Sequence, residues 1–182
     1  GFYTQEEIKE VIQYAAERNI TIVPEIEMPG HARAALAAYP ALSCTGDHYP
    51  VATTWGVFEE VFCTTEEAFT FLEKVLDEVM ALFPGPYIHI GGDECPKSQW
   101  IHSPKGKSVQ DSLKIFSGDS LQSYFIHRIN TYIKSKGRKI IGWDEIADGG
   151  LADDATVMSW RGEAGGAHAA NLQHQAIMTP GA

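Results

Sequence analysis

Apolar and polar positions along the chain follow two periods, one helical and one typical of buried strands. Apolar residues at helical spacing predict one helix after Thr4-Gln5-Glu6-Glu7, which reads as a capping box. The same spacing predicts a second helix that opens at Thr64-Thr65 and ends before Pro84, and a third over about 119–136. The segment "AGGAHAANL" predicts a short, weaker helix.

Five short apolar runs between the helices are rich in β-branched residues and predict buried strands. They are "NITIVPEI" (19–26), "YIHI" (87–90), "KIIGW" (139–143), "TVMSW" (156–160) and "QAIMT" (175–179). Strands that are apolar on both faces and alternate with helices indicate a parallel sheet with helices outside it. No internal repeat or shift in composition divides the chain, so we expect residues 1–182 to form a single domain.

Composition narrows the classes of partner. The chain has 182 residues and a formal net charge of −10, which argues against a nucleic-acid or anionic-membrane surface. No apolar run reaches about 18 residues, so no membrane span is predicted. Cys44, Cys63 and Cys95 form no C-x-x-C pair, so a structural zinc site is not expected. One disulfide is compatible with three cysteines, but their spacing does not assign its partners.

Polar residues of catalytic type follow the carboxyl ends of four predicted strands. These residues are Glu25 and Glu27, Asp93 and Glu94, Trp143 to Glu145, and Trp160 with Arg161. In parallel α/β folds, ligands bind at this edge of the sheet. A single acidic residue at a strand end is often only a helix cap or a turn residue, but four such strand ends predict a site.

The segment "HIGGDEC", residues 89–95, places two carboxylates side by side after two glycines. On a regular strand neighbouring side chains point to opposite faces. Gly91 and Gly92 permit backbone angles closed to other residues, so the chain can bend and turn Asp93 and Glu94 toward one pocket. Two close carboxylates retain one proton more strongly, and a protonated carboxyl group near neutral pH is a general acid.

Aromatic and histidine side chains accompany this acidic pair. Trp143 and Trp160 end strands beside carboxylates and can form a stacking platform for a sugar ring, although tryptophan is also a common core residue. Trp55 and Trp100 lie in predicted loops, where they either serve a neighbouring subsite or only pack. In "PEIEMPGH" the Pro-Gly turn puts His31 at the same strand end. A single histidine of this kind is either functional or a hydrogen-bonded structural residue.

Taken together, these motifs resemble the catalytic domain of glycoside hydrolase family 20, the β-N-acetylhexosaminidases. The resemblance runs in order through "YTQEEIKEVIQYAAERNITIVPEIEMPGHARA", "WGV", "YIHIGGDECPKSQW", "GRKIIGWDEI" and "VMSWRG". It implies an α/β fold of the (β/α)8 TIM-barrel type. It also implies hydrolysis of terminal non-reducing GlcNAc or GalNAc residues of a glycan or glycoconjugate. A secreted or periplasmic location is favoured by the family.

The resemblance further implies a substrate-assisted retaining mechanism, an exception to the usual scheme with two carboxylates. The substrate's 2-acetamido oxygen attacks the anomeric carbon and forms an oxazolinium. Glu94 would be the general acid and then the base, and Asp93 would hold the acetamido N–H and stabilise positive charge. Trp143 and Trp160 would enclose the N-acetyl group and ring, His31 would support the acidic pair, and Glu145 is a further pocket candidate. No metal or organic cofactor is implied.

Against the family pattern the barrel is incomplete, because a (β/α)8 barrel typically needs about 250 residues. The five predicted strands correspond roughly to strands three to seven of the barrel. The family's substrate-binding Arg after strand one, a Tyr-x-Asp segment and the Trp of strand eight are not present. We therefore expect weak or no activity from these residues alone. Open apolar strand edges predict self-association or completion by further segments of the parent chain.

Two other functions are compatible with the residues. One is a non-catalytic sugar-binding or structural remnant of the same fold. The other is a metal-dependent hydrolase that uses His31, His89 and Asp93, although His89 lies in mid-strand, where a packed structural role is favoured. The motifs do not separate GlcNAc from GalNAc or disaccharide specificity.

Overall fold

A parallel four-stranded sheet forms the centre of the protein in a computed structural model that describes residues 2–181. The strands are β1 (Tyr87–His89), β2 (Lys139–Trp143), β3 (Thr156–Ser159) and β4 (Ala176–Met178), and they lie in this order across the sheet. Ile88 pairs with Ile140, and Gly142 pairs with Val157. The sequence of strands and helices is that of an incomplete (β/α)8 barrel, as expected.

Seven α-helices surround the sheet within the described residues. They are α1 (Gln5–Ala16), α2 (Arg33–Ala38), α3 (Glu66–Leu82), α4 (Ser98–His102), α5 (Pro104–Leu113), α6 (Gly118–Ser135) and α7 (Glu163–Asn171). Short 3₁₀ helices span Pro40–Leu42 and Asp144–Ala147. Across residues 2–181 no helix combines the length and the apolar character needed to cross a bilayer.

The helix ends follow the capping residues in the sequence. Thr4 accepts a hydrogen bond from the backbone N–H of Glu7, and the Glu7 carboxylate accepts one from the backbone N–H of Thr4, which completes the predicted capping box. Thr65 caps α3 through the backbone N–H of Ala68. Gly137 follows α6 at φ 74° and donates to the carbonyl of Lys134, so this helix ends where glycine relieves the left-handed backbone.

The predicted buried strand over 19–26 is wrong in most of its length. Only the end of this run pairs with β1, where Ile26 donates to the carbonyl of His89 and His89 donates to that of Pro24. Pro24 has no N–H to extend the ladder, and Ile20 and Val23 are exposed. The sheet therefore has four regular strands and an adjoining segment with one bridge, between Glu25 and His89.

The connection from Met28 to Cys63, which has no clear sequence period, is held in place by several contacts, of which a disulfide and an arginine are two. Cys44 and Cys63 form a disulfide at its base, and both cysteines are buried. Arg33 donates to the carbonyl of Pro50 and contacts the carboxylate of Glu60 at 3.3 Å. These links fix a loop of about 19 residues against α2.

The main core lies between the sheet and the helices. α6 packs against both β2 and α3, and α7 packs against β3 and β4. The largest fully buried side chains include Trp100, Phe69 and Phe125, with the Phe69 and Phe125 rings 4.9 Å apart. Trp100 donates its indole N–H to the carbonyl of Phe62 at 2.9 Å, so it ties α4 to the loop and belongs to the core.

We expect the Cys44–Cys63 disulfide to stabilise the fold by restricting the unfolded chain. Closing a loop of this length is worth about 3 kcal/mol. Replacing both cysteines by alanine should lower the free energy of unfolding in urea by about this amount. Cys95→Ala is the matched control, because Cys95 is buried and free and its loss leaves the disulfide intact. Equal effects of a reducing agent on the double variant and the wild type would contradict the assignment.

Candidate active site

The carboxyl ends of the strands surround a pocket of about 460 Å³. Its lining contains five of the six predicted site residues, Asp93, Glu94, His31, Trp143 and Trp160. The lining is completed by Glu25, Glu27 and Trp55. The sixth predicted residue, Glu145, is buried behind Trp160 and outside the lining.

A bend after β1 brings the acidic pair into the pocket. Gly91 and Gly92 have φ angles of 69° and 96°, and Glu94 is also left-handed at 43°. A Cβ on Gly91 would overlap the carboxylate of Glu27, and one on Gly92 would overlap Ile146. Both glycines are therefore required twice, for the backbone turn and for the close approach of neighbouring side chains.

His31 lies between the two carboxylates. Its Nε2 is 3.4 Å from Asp93 Oδ2 and 3.4 Å from Glu94 Oε2. The turn at Gly30 packs directly on the loop after β1, since a Cβ on Gly30 would lie 3.2 Å from the carbonyl oxygen of Asp93. The imidazole is thus fixed to the acidic pair through both the backbone and the side chain.

The two pocket tryptophans are each held by a carboxylate. Trp143 donates its indole N–H to Glu25 Oε1 at 2.9 Å. Trp160 donates to Glu145 Oε2 at 3.1 Å. Burial raises the pKa of Glu145, while the indole N–H and the nearby Arg161 oppose that shift. Glu145 therefore acts on the pocket through Trp160, as a support for the ring.

Glu25 and Glu27, which the sequence placed at a strand end without assigning them a role, complete an acidic floor of the pocket. Both follow an apolar run at a strand end, and their i, i+2 spacing places them on one face, which is the signal that identifies them. Burial, together with the neighbouring carboxyl groups of Glu25 and Asp93, raises the pKa of Glu27 to about 9. The Glu27 carboxyl group therefore holds its proton at neutral pH.

His89 stands beside this floor in the neutral form. Burial lowers its pKa, although Glu25 and Asp93 oppose the shift. Its Nδ1 accepts a hydrogen bond from the backbone N–H of Gly91 at 3.1 Å, which a protonated imidazole cannot do. Its ring packs edge-on against Trp143 with centroids 4.7 Å apart. These contacts describe a packed strand residue that orients its neighbours.

The structure does not assemble the three ligands of the metal-hydrolase hypothesis. Within residues 2–181, the side chains close enough to share an ion are His31, Asp93 and Glu94, whose ligand atoms lie within 4.8 Å of one another. His89 lies outside this group, with Nδ1 directed to Gly91 and Glu25. The triad of His31, His89 and Asp93 is therefore not formed.

Trp55 stands at the mouth of the pocket on the loop that the disulfide closes. Its side chain is 98% exposed, in contrast to the buried Trp100. A tryptophan in this position leaves a large apolar face free for contact with a ligand. Of the two loop tryptophans in the sequence, Trp55 is the one that borders the pocket.

In this pocket an acidic pair contacts one histidine, and tryptophans at the strand ends enclose the pair. These are the features of a carbohydrate-active hydrolase built on a (β/α) barrel. Comparison with known sequences agrees with this class. The family "Glycosyl hydrolase family 20, catalytic domain" matches residues 1–182. This chain belongs to that family, as the sequence motifs indicate.

Individual relatives lead to the same family. The chain is 52% identical over its full length to a beta-hexosaminidase of Porphyromonas gingivalis and 37% identical to one of Vibrio furnissii. It spans 23% and 30% of these two relatives, respectively. It is therefore similar to less than a third of each.

Solved structures show the same fold. The X-ray structure of Flavobacterium johnsoniae chitobiase matches 99% of this chain with a TM-score of 0.90 and 34% identity. The crystal structure of beta-N-acetylhexosaminidase from Bacteroides fragilis matches 97% of this chain with a TM-score of 0.86 and 41% identity. The matched regions are 28% and 36% of those two chains.

The raised pKa of Glu27 predicts a specific dependence of stability on pH. The unfolded carboxyl group loses its proton near 4.5, whereas the folded group keeps it to about 9. The folded state binds more protons between these values, so this group makes stability fall as the pH rises. Glu27→Gln should remove that fall. Between about pH 5 and about pH 8, the free energy of unfolding of the variant should rise relative to that of the wild type by at least about 1 kcal/mol, after allowance for screening by solvent.

Urea unfolding of the two proteins across this pH range measures the effect. Glu6→Gln on α1 is the control, because it removes an exposed carboxylate away from the pocket. A constant difference between Glu27→Gln and the wild type would contradict the raised pKa.

Proposed function

We propose that this chain carries the catalytic acid pair of a β-N-acetylhexosaminidase. The enzyme would remove terminal non-reducing N-acetylhexosamine residues from glycans by a substrate-assisted retaining mechanism. One observation carries the proposal: His31 Nε2 lies 3.4 Å from both Asp93 and Glu94 in a pocket walled by tryptophans. Membership of the family supports it.

The placement of the two carboxylates favours substrate assistance over a nucleophilic carboxylate. In the scheme with two carboxylates, the acid and the nucleophile flank the scissile bond on opposite sides. Asp93 and Glu94 are sequence neighbours, leave the same bend and contact the same imidazole nitrogen. They would therefore approach a bound sugar from one side, which supports a nucleophile supplied by the substrate.

The reaction then divides between the two residues. Glu94 gives its proton to the leaving-group oxygen while the acetamido carbonyl oxygen bonds to the anomeric carbon and the glycosidic bond breaks. Asp93 accepts the acetamido N–H and its negative charge balances the oxazolinium. Glu94 next takes a proton from a water molecule, whose oxygen attacks the anomeric carbon. The bond between this carbon and the acetamido oxygen breaks, so the oxazolinium ring opens and the product has the starting configuration.

The pocket walls position the sugar. Trp143 and Trp160 offer flat apolar surfaces whose orientation is fixed by Glu25 and Glu145, respectively. Carbon-bound hydrogens of a pyranose and the acetamido methyl group pack well on such surfaces. We assign Trp55 to the leaving-group side, because it borders the pocket mouth and its ring is free.

The cellular setting and the association state belong to the same proposal. A disulfide such as Cys44–Cys63 persists in oxidising surroundings, which supports a secreted or periplasmic location. Exposed apolar side chains on β4, including Ile177 and Met178, support pairing with another strand. That strand would come from a second copy or from a further segment of the parent chain.

Glu94→Gln in the complete parent protein should reduce turnover by at least about 10²-fold, the usual scale for losing a general acid. Because a good leaving group needs little protonation, aryl glycosides with acidic phenols should lose less activity than those with weakly acidic phenols. The measurement is kcat/KM across a series of aryl N-acetylglucosaminides. Equal losses across the series would contradict the role of Glu94, and a wild type without hydrolysis would favour the sugar-binding alternative.

Asp93→Asn should preserve the fold and remove the charge that balances the oxazolinium. A thiazoline analogue of that intermediate should bind at least about tenfold more weakly, since a hydrogen bond to a charged group contributes about 1.5–3 kcal/mol. Calorimetric titration measures the affinity. Glu60→Gln is a control, because Glu60 pairs with Arg33 away from the pocket. Unchanged affinity in Asp93→Asn would refute the assignment.

A further inference from the structure

Two buried carboxyl oxygens at the pocket floor accept no hydrogen bond from any described N–H or O–H group. They are Glu27 Oε2 and Asp93 Oδ1. A buried acceptor without a donor is costly and rare in folded proteins. The carboxyl groups of Glu27 and Asp93 lie within hydrogen-bonding reach of each other. Glu25 also lies within reach of Glu27, but its Oε1 already accepts the indole N–H of Trp143, and neither of its oxygens is among the buried atoms without a partner.

No positively charged group among the described residues acts on Glu27, so none balances the two unpaired oxygens. Within the described residues, the groups that act electrostatically on Glu27 are the carboxylates of Glu25 and Asp93. His89, on the neighbouring strand, is neutral because burial lowers its pKa. His31 lies on the opposite side of Asp93, at Oδ2. A proton is therefore the species that can join the two orphaned oxygens.

We propose that Glu27 is a positioning residue that keeps its proton and donates it in a hydrogen bond to Asp93 Oδ1. This single O–H···O bond gives each of the two buried oxygens a hydrogen-bond partner. It leaves Oδ2 of Asp93 directed to His31 and the pocket, where the acetamido N–H would bind. A donor to an ionised carboxylate stabilises its charged form, which is the form that the proposed mechanism requires of Asp93.

The backbone around Gly91 is shaped for this contact. A side chain at position 91 would overlap the Glu27 carboxyl group, and the left-handed φ of 69° at Gly91 begins the bend that carries Asp93. Burial together with the two acidic neighbours raises the pKa of Glu27 to about 9, which supports a retained proton at neutral pH. The inference rests on the proposed function for the role of Asp93, but the proton itself is independent of catalysis.

The first test detects the proton on Glu27 directly in the complete parent protein. Infrared difference spectroscopy at neutral pH should show a protonated carboxyl C=O band that is weaker in Glu27→Gln than in the wild type by the contribution of one group, since a protonated Glu94 contributes to both. Glu6→Gln is the control and should keep the band. If the band is the same in the wild type and in Glu27→Gln, the inference is overturned, whatever the enzyme's activity.

The second test separates a hydrogen-bond donor from mere packing. Glu27→Gln keeps an N–H donor, whereas Glu27→Met keeps the length of the side chain without a donor. At neutral pH the Gln variant should bind the thiazoline analogue within about threefold of the wild type, and the Met variant at least about tenfold more weakly. Equal affinities of the Met and Gln variants would overturn the inference.

The third test measures affinity for the thiazoline analogue as a function of pH, which a purely structural role of Glu27 would not affect. Wild-type affinity should fall as the pH rises through about 9, because ionised Glu27 loses its O–H and repels Asp93. The Gln variant should show no such fall. Failure of the wild type to bind the analogue at any pH would reject the proposed function, and the infrared band would still decide the proton.

Discussion

The dominant constraint in this structure is the repulsion among carboxyl groups gathered at one pocket. Glu25, Glu27, Asp93 and Glu94 line it together, and none of the eight described lining residues is Lys or Arg. Their charge is balanced by weaker means: an indole N–H at Glu25, an imidazole between Asp93 and Glu94, and a retained proton at Glu27. A site balanced in this way stays able to accept a substrate that develops positive charge.

Backbone geometry makes such crowding possible. The bend at Gly91 lies directly against the Glu27 side chain, and the turn at Gly30 brings His31 onto the loop that carries the acidic pair. Gly142 gives space to Ile146, which also fills the space beside Gly92. The site is therefore assembled from close approaches of backbone to side chain, and each glycine is fixed by what lies against it.

The sequence predicted the regular parts of the fold because local chemistry determines them. Thr4 and Thr65 mark helix starts, and β-branched runs mark β1 to β4. The strand over 19–26 was overpredicted, since an apolar run does not reveal that Ile20 and Val23 remain exposed. The Cys44–Cys63 pairing and the short helices α2, α4 and α5 depend on contacts distant in sequence, which periodicity does not encode.

The residues that line the pocket were largely predictable from the sequence, but their protonation was not. Asp93, Glu94, His31, Trp143 and Trp160 could be identified from strand ends and motifs, whereas the supporting position of Glu145 behind Trp160 required coordinates. Glu27 was visible as an acidic residue at a strand end. Its retained proton follows from burial and from the neighbouring carboxyl groups, which only the three-dimensional arrangement reveals.

The exposure of Trp55 gives the pocket an optical label of its own. Trp100 is fully buried, while Trp55 is almost wholly in solvent on a loop tied at its base. The Trp55 indole is therefore solvated, and collisional quenchers that do not reach the core can quench its fluorescence. A ring seated at the pocket mouth would shield this indole more than Trp160, which is only 37% exposed, so occupancy of the pocket mouth can be followed by fluorescence quenching without modifying the protein.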